Sequence, residues 1–471
     1  MHSSTADAVS LCADGAALAD AGDHDGAITC YEDAVALAPA MLALHQILAN
    51  AQLLLGRTLD ARSTLRHALQ VAERPDAASE FALGKALVDA GAGADAVPSF
   101  RRARQAFPHD AGVAAALAAA LREAQQPEDA WTEIQYALTL VPTDPVALLT
   151  AAMIRHDLSD FTGALAWCER SLTLRPDASG ARVTRAYLRF LLGDATGGWR
   201  DFEHRPLPTS RTAAIDWHGA PLTGKSILVM GEQGVGDQFQ FLRFVRHPAF
   251  RSASRVIVSC QPDAVSLLTA AGYDAIARDE IVSTDFSVPL LSLPHRLAVS
   301  SDCRPDIPAY LRPPDGVTRG PSRSLKRVGI VWAGNPAHRN DAVRSIAPGL
   351  ISALLDQHPD LHVVCMQHGV SAAELPFAAH EFSASGDWLT TARELCALDL
   401  LITVDTGIAH LAGALGVRSW LLLPHVPDWR WGLTGASTPW YPTMRLFRQE
   451  TRGDWPGVLA RVSAALAKVV Q

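Results

Sequence analysis

Through the first two hundred residues a long period is laid over a helical one. Small residues fall at Ala27, Ala61, Ala96, Ala130 and Ala164, in steps of 34, 35, 34 and 34. Four positions after each stands a larger side chain: Tyr31, Leu65, Phe100, Ile134 and Cys168. Seven after stand Ala34, Ala68, Ala103, Ala137 and Ser171, and twelve before stand Gly15, Ala49, Gly84, Ala118 and Ala152. Offsets of four and seven keep these positions on one helix face. Pro39, Pro108, Pro142 and Pro176 close four of the five units. The pattern predicts a helix pair per unit, with small residues where the two helices cross, bulky ones filling the gap, and proline ending the second. A sixth unit begins near Ser179, with Ala186 and Gly193 in phase, and departs into Gly197-Gly-Trp-Arg-Asp-Phe-Glu-His-Arg205. That aromatic stretch reads as a cap over the last hydrophobic face, and Pro206 and Pro208 stop it.

From about residue 223 the period changes. Short apolar runs at 225–231, 255–260, 326–332, 361–365, 400–404 and 419–423 read as strands, interleaved with amphipathic stretches such as 237–246 and 263–271, and 456–469 reads as a final helix. Such alternation predicts parallel sheets covered on both faces. Residues 312–324 are rich in Pro, Gly and Ser. The expected organisation is therefore a repeat array with its cap at 1–205, a linker at 206–222, one α/β half at 223–312, a linker at 313–325 and a second α/β half at 326–471. Two such halves set a cleft between the carboxyl ends of two parallel sheets, the usual ligand position in open α/β folds.

Composition narrows the partners. With 471 residues, 48% hydrophobic and 19% charged, the chain suits several folded domains and not a disordered one. A net charge of −8 without basic runs argues against a general nucleic-acid binder. Seven scattered cysteines make neither a disulfide framework nor a zinc site. There is no leader-like N-terminus and no apolar run long enough to span a membrane, so the expectation is a soluble cytoplasmic protein.

Four segments carry candidate chemistry. Glu232-Gln-Gly-Val-Gly-Asp237 follows a strand and opens a helix. Gln233, Gly234 and Gly236 bring backbone N–H groups near a ligand, and the helix dipole favours an ionised Asp237 in the first turn. A simple helix-capping role for Asp237 is the alternative, and the third glycine of a dinucleotide fingerprint is missing. Trp332-Ala-Gly334-Asn335-Pro-Ala-His338-Arg339, with Arg344 beyond it, is a polar loop at a strand's carboxyl end that can present Asn, His and Arg to an anion, or be a solvated loop. Asp405-Thr406-Gly407 ends a buried strand and starts a helix, a ready phosphate site, with His410 one turn on as a further ligand or a core histidine. Asp428-Trp429-Arg430-Trp431 suits stacking and polar anchoring of a base or sugar, or a packed subdomain interface.

In order and spacing these segments resemble bacterial TPR-linked glycosyltransferases of the GT-B fold, whose C-terminal domain is related to the ADP-heptose glycosyltransferases. The chain is similar in particular to flagellin glycosyltransferases. The resemblance implies an α plus α/β chain: an N-terminal TPR α-solenoid followed by two Rossmann-like halves. It implies a metal-independent, inverting transfer from a nucleotide sugar, used as substrate without a cofactor, to Ser/Thr of a protein such as flagellin held by the repeats. Carried over by motif, Asp237 is the general base. Asp405, Thr406, Gly407 and His410 carry over as the donor-binding segment, and the segments read above add Gln233, Gly234, Gly236, Trp332, Gly334, Asn335, His338, Arg344, Asp428 and Trp429 to the expected donor site. The family's phosphate-facing lysine has no counterpart, leaving Arg339 or Arg344 to substitute. The alternative is a protein-binding scaffold or chaperone whose glycosyltransferase-like domain has lost turnover.

Overall fold

The computed structural model describes residues 2–71, 76–208, 213–299, 309–311, 327–336, 340–375, 377–383 and 387–468. The linker expected at 313–325 lies outside them. Among the described residues twelve helices come first: α1 His2–Asp20, α2 His24–Leu37, α3 Leu42–Leu54, α4 Thr58–Val71, α5 Ala77–Asp89, α6 Gly93–Ala106, α7 Ala111–Glu123, α8 Pro127–Leu140, α9 Pro145–Asp157, α10 Phe161–Leu174, α11 Ser179–Leu191 and α12 Ala195–Phe202. Contacts divide the chain into two compact units, Met1–Ala181 and Arg182–Gln471.

In the first unit the periodic residues are the core. Ala27, Ala61, Ala96, Ala130 and Ala164 are all buried, as are Leu65, Phe100, Ile134 and Cys168. The small residues of the first helices are small for a stated reason. A Cβ on Gly15 would meet Tyr31 Cε1 at 2.6 Å, and one on Gly84 would meet Phe100 Cε1 at 2.6 Å. Asp23, Asp76, Asp110, Asp144 and Asp160 cap their helices by accepting backbone N–H bonds. Helices α2, α6, α8 and α10 end two residues before Pro39, Pro108, Pro142 and Pro176, because the residue preceding a proline is disfavoured in the helical region.

The second unit holds α12, most of α11 and the α/β part. The cap belongs here because Arg205 forms a buried ion pair with Glu232 (2.6 Å) and Phe190 stacks on Trp429 at 4.4 Å. One sheet has the parallel order β1-β5-β2-β3-β4, from Ile215–Asp216, Ser226–Met230, Arg255–Cys260, Asp274–Ala277 and Phe286–Pro289. The other, also parallel, has the order β11-β10-β9-β6-β7-β8, with β6 Arg327–Val331, β7 His362–Cys365, β8 Glu381–Phe382, β9 Leu400–Val404, β10 Ser419–Leu423 and β11 Met444–Arg448. The flanking helices are α13 Val235–Phe241, α14 Val265–Ala270, α15 Leu293–Arg296, α16 Asp341–Arg344, α17 Pro348–Leu355, α18 Trp388–Cys396, α19 Gly407–Ala414 and α20 Trp455–Ala467. The segment 206–222 departs from the expected plain linker: it supplies β1 and buries Trp217, whose indole donates to the Ala220 carbonyl at 2.7 Å.

Candidate functional site

Each sheet sends a loop from the carboxyl end of an inner strand into a helix: β2 into α13 and β9 into α19. The two helix starts touch. A Cβ on Gly236 would lie 2.9 Å from His410 Cδ2 and 3.1 Å from Gly407 Cα. The close helix-to-helix approach therefore requires glycine at 236. Gln233 adopts a positive φ of 54°, which lets the loop turn into α13. Asp237 stands in the first turn and accepts from Gly234 N at 3.1 Å, so the capping role is real.

Asp237 has a second partner that joins the halves. Arg430 Nη2 donates to it, while Arg430 Nη1 donates to Asp428 Oδ1 (2.9 Å) and Nε to Gln240 Oε1 (2.7 Å). Gln240 is three residues after Asp237 on α13, hence on the same face. The Arg430 side chain is only 11% exposed, and its neighbouring carboxylates push its pKa up against the cost of burial.

Opposite lies the start of α19. The Thr406 carbonyl accepts from Ala409 N (3.0 Å) and His410 N (3.4 Å), and its side chain makes no capping bond, leaving the helix start without a side-chain oxygen of its own. Burial first, then the charge of Asp428, pushes the Asp405 carboxyl up to about 6; the nearby indole N–H of Trp431 and the charges of Arg430 and Arg344 oppose the shift. Arg344 donates to the Asp405 carbonyl at 2.9 Å and packs its guanidinium over Gly334. His410 is buried and packed on its neighbours. Its Nδ1 pairs with Tyr441 Oη at 2.9 Å, its ring stacks on Trp431 at 5.3 Å, and Nε2 stands 3.7 Å from Asp405 Oδ1. Burial, helped by Arg430 and Arg243, holds it well below its usual pKa and hence neutral.

Asp237, Gly234, Gly236, Arg344, Asp405, Thr406, Gly407, His410 and Asp428 therefore surround one locus. One expected residue, Trp332, turns away from it. Trp332 lies in the core under the second sheet, edge-on to Phe377, and its backbone N–H donates to Gln367 Oε1 at 3.2 Å. Trp429 has one face covered by Phe190, so it packs an interface there. Gln233 and Asn335 are exposed, and His338 and Arg339 lie outside the described residues. Sequence reasoning passed over Gln240 and named Arg430 only as part of the Asp428-Trp429-Arg430-Trp431 anchoring motif, outside the donor set. Beside Arg430 opens a cavity of about 250 Å³, walled by Phe190, Trp199, Phe244, Trp429 and Trp440. Chemically, the locus offers a carboxylate, an arginine able to grip an oxyanion, and a helix start suited to phosphate.

Comparison with known proteins identifies the repeats. Residues 3–142 match the tetratricopeptide repeat family model. Over 336 residues the chain is 24% identical to protein FlbA of Caulobacter vibrioides, covering 57% of this chain and 52% of FlbA, so the chain spans about half the length of that curated relative. Among solved structures, a tetratricopeptide repeat protein from Parabacteroides merdae is 16% identical (TM-score 0.36, 43% of this chain and 81% of that one). YrrB, titled a TPR protein with an unusual peptide-binding site, is 17% identical (TM-score 0.31, 37% and 90%). The chain thus carries an N-terminal tetratricopeptide solenoid followed by a parallel-sheet α/β region. Repeats of this kind bind peptide partners, and no described helix is long and apolar enough to cross a membrane.

Proposed function

We propose that the chain is a metal-independent protein glycosyltransferase of GT-B type, with the repeats holding a protein acceptor and the α/β unit carrying a nucleotide-sugar site. The observation that supports this best is the meeting of Asp237 with the Thr406–Gly407 helix start, one from each parallel sheet, through Gly236 against Gly407 and His410. In this reading the donor's phosphate lies at the start of α19, and an acceptor Ser/Thr hydroxyl lies at Asp237. The hydroxyl oxygen bonds to the anomeric carbon, the bond from that carbon to the phosphate oxygen breaks, and the proton passes to Asp237. Such assistance is worth roughly 10²–10⁴ in rate. Flagellin is the first acceptor to test.

The second reading, a scaffold without turnover, draws on one observation: Asp237 already accepts from Arg430, and a carboxylate so engaged is not a free base. A thermal-shift series of the full chain with CMP, UDP, ADP and GDP tests the nucleotide site they share. Bound at a hundred times its Kd, a ligand adds about 2.7 kcal/mol. One nucleotide raising the melting temperature supports the site; none doing so refutes it.

A further inference from the structure

Arg430 reaches three partners at once, and two of its anchors, Gln240 and Asp428, hold the guanidinium independently of Asp237. The charges around it do not balance. Asp237, Asp428 and Asp405 all act on Arg430, while Arg344 is shared between Asp341 (3.3 Å) and the Asp405 carbonyl. A nucleotide phosphate entering this locus adds more negative charge. A cation already tied to a carboxylate can offset that charge by changing partner. Arg430 is placed for that change: the next residue, Trp431, stacks on His410 of α19, and its own Nη2 is on Asp237 of α13.

We propose that Arg430 is the phosphate-binding arginine of the site and that nucleotide phosphate and Asp237 compete for its Nη2. Binding of the nucleotide draws the arginine's hydrogen bond onto a phosphate oxygen and releases Asp237 to accept a proton. Nε on Gln240 and Nη1 on Asp428 stay in place, so the exchange is local. The occupied carboxylate is then a resting state, relieved by the donor itself. This inference rests on the nucleotide reading above, yet it predicts a sign that the reading alone does not.

The test is calorimetric titration of the full chain with CMP, UDP, ADP and GDP. For whichever binds, Asp237→Asn, which removes the competing charge, tightens affinity about tenfold, and Arg430→Ala weakens it at least tenfold. Arg430→Lys, keeping charge without the fork, falls between, and carries the test if the alanine variant fails to fold. The double variant Asp237→Asn/Arg430→Ala binds no better than Arg430→Ala. Mere relief of repulsion would instead leave the double variant tighter than Arg430→Ala, and that result overturns the inference. So does Asp237→Asn binding no tighter than wild type. If no nucleotide binds, both the inference and the functional reading fall; if one binds without the opposed signs, only the inference does.

Discussion

Replacing Gly236 by alanine puts a methyl group where α13 and α19 have no room for one. The new Cβ would stand 2.9 Å from His410 Cδ2, 3.1 Å from Gly407 Cα and 3.6 Å from Gly407 N. Ordinary carbon contacts are about 3.5–4.0 Å, so the helices must part by roughly half an ångström. Neither neighbour yields easily: one is backbone, and the other is a ring held by Tyr441 and Trp431. Overpacking of this kind costs about 1–3 kcal/mol. Alanine's better helix propensity and the stiffer unfolded chain return up to about 1 kcal/mol. The clash wins by about 1–2 kcal/mol, or a fall of roughly 2–4 °C in the melting of the α/β unit. Gly234→Ala is the control, because its Cβ would meet only the Asp237 Oδ2 atom at 3.2 Å, the end of a side chain; it is expected within about 0.5 kcal/mol of wild type. Scanning calorimetry of both variants decides. Gly236→Ala melting at or above wild type, or both glycines costing the same, refutes the packing argument and with it the placement of Asp237 beside α19.

Other expectations follow from single contacts. Asp405 has a folded-state pKa of about 6 against an ordinary 3.8, so the folded protein binds its proton more tightly, and stability falls as pH rises through that window. Asp405→Asn removes this slope from a series of denaturant titrations, and it also abolishes a gain in nucleotide affinity below pH 6. Glu232→Gln breaks a pair in which Arg205 Nη2 and Nε reach the carboxylate at 2.6 and 2.9 Å. Arg205 keeps Glu203, at 3.3 Å, as its remaining carboxylate, so the loss of this charged pair of hydrogen bonds costs about 1.5–3 kcal/mol, and an unchanged melting temperature contradicts that pairing. Phe100→Ala empties the site facing Gly84 and costs the solenoid about 3–5 kcal/mol by circular dichroism; a loss under about 1 kcal/mol denies the helix-pair packing.

The repeats were legible because each unit states its own packing. Ala61 and Leu65 are buried for the same reason as Ala130 and Ile134, and the period exposes that reason without coordinates. Strands β3, β9 and β10 were equally plain, being apolar runs of five or six residues. The missed strands include β1 and β8, two residues each, too short to show any alternation. The site was half legible. Asp237, Asp405 and Gly407 stand where strands end and helices begin, so local pattern finds them. Trp332 follows its strand just as directly, yet its side chain turns into the core, and which way a loop residue points is settled by packing. Arg430 acquires its meaning from Asp237, 193 residues earlier in the chain. Only folding brings the two together.

The proposed turnover of a nucleotide sugar with Asp237 as base is open to direct assay. The direct measurement is release of sugar from CMP-, UDP-, ADP- and GDP-linked donors by the purified full chain, followed over hours without acceptor and again with flagellin. The account predicts slow hydrolysis of one donor, acceleration and a gain of sugar mass on the acceptor when flagellin is added, and a fall of roughly 10²–10⁴ in both rates for Asp237→Ala. Turnover of none of the donors, or an Asp237→Ala variant as fast as wild type, contradicts it.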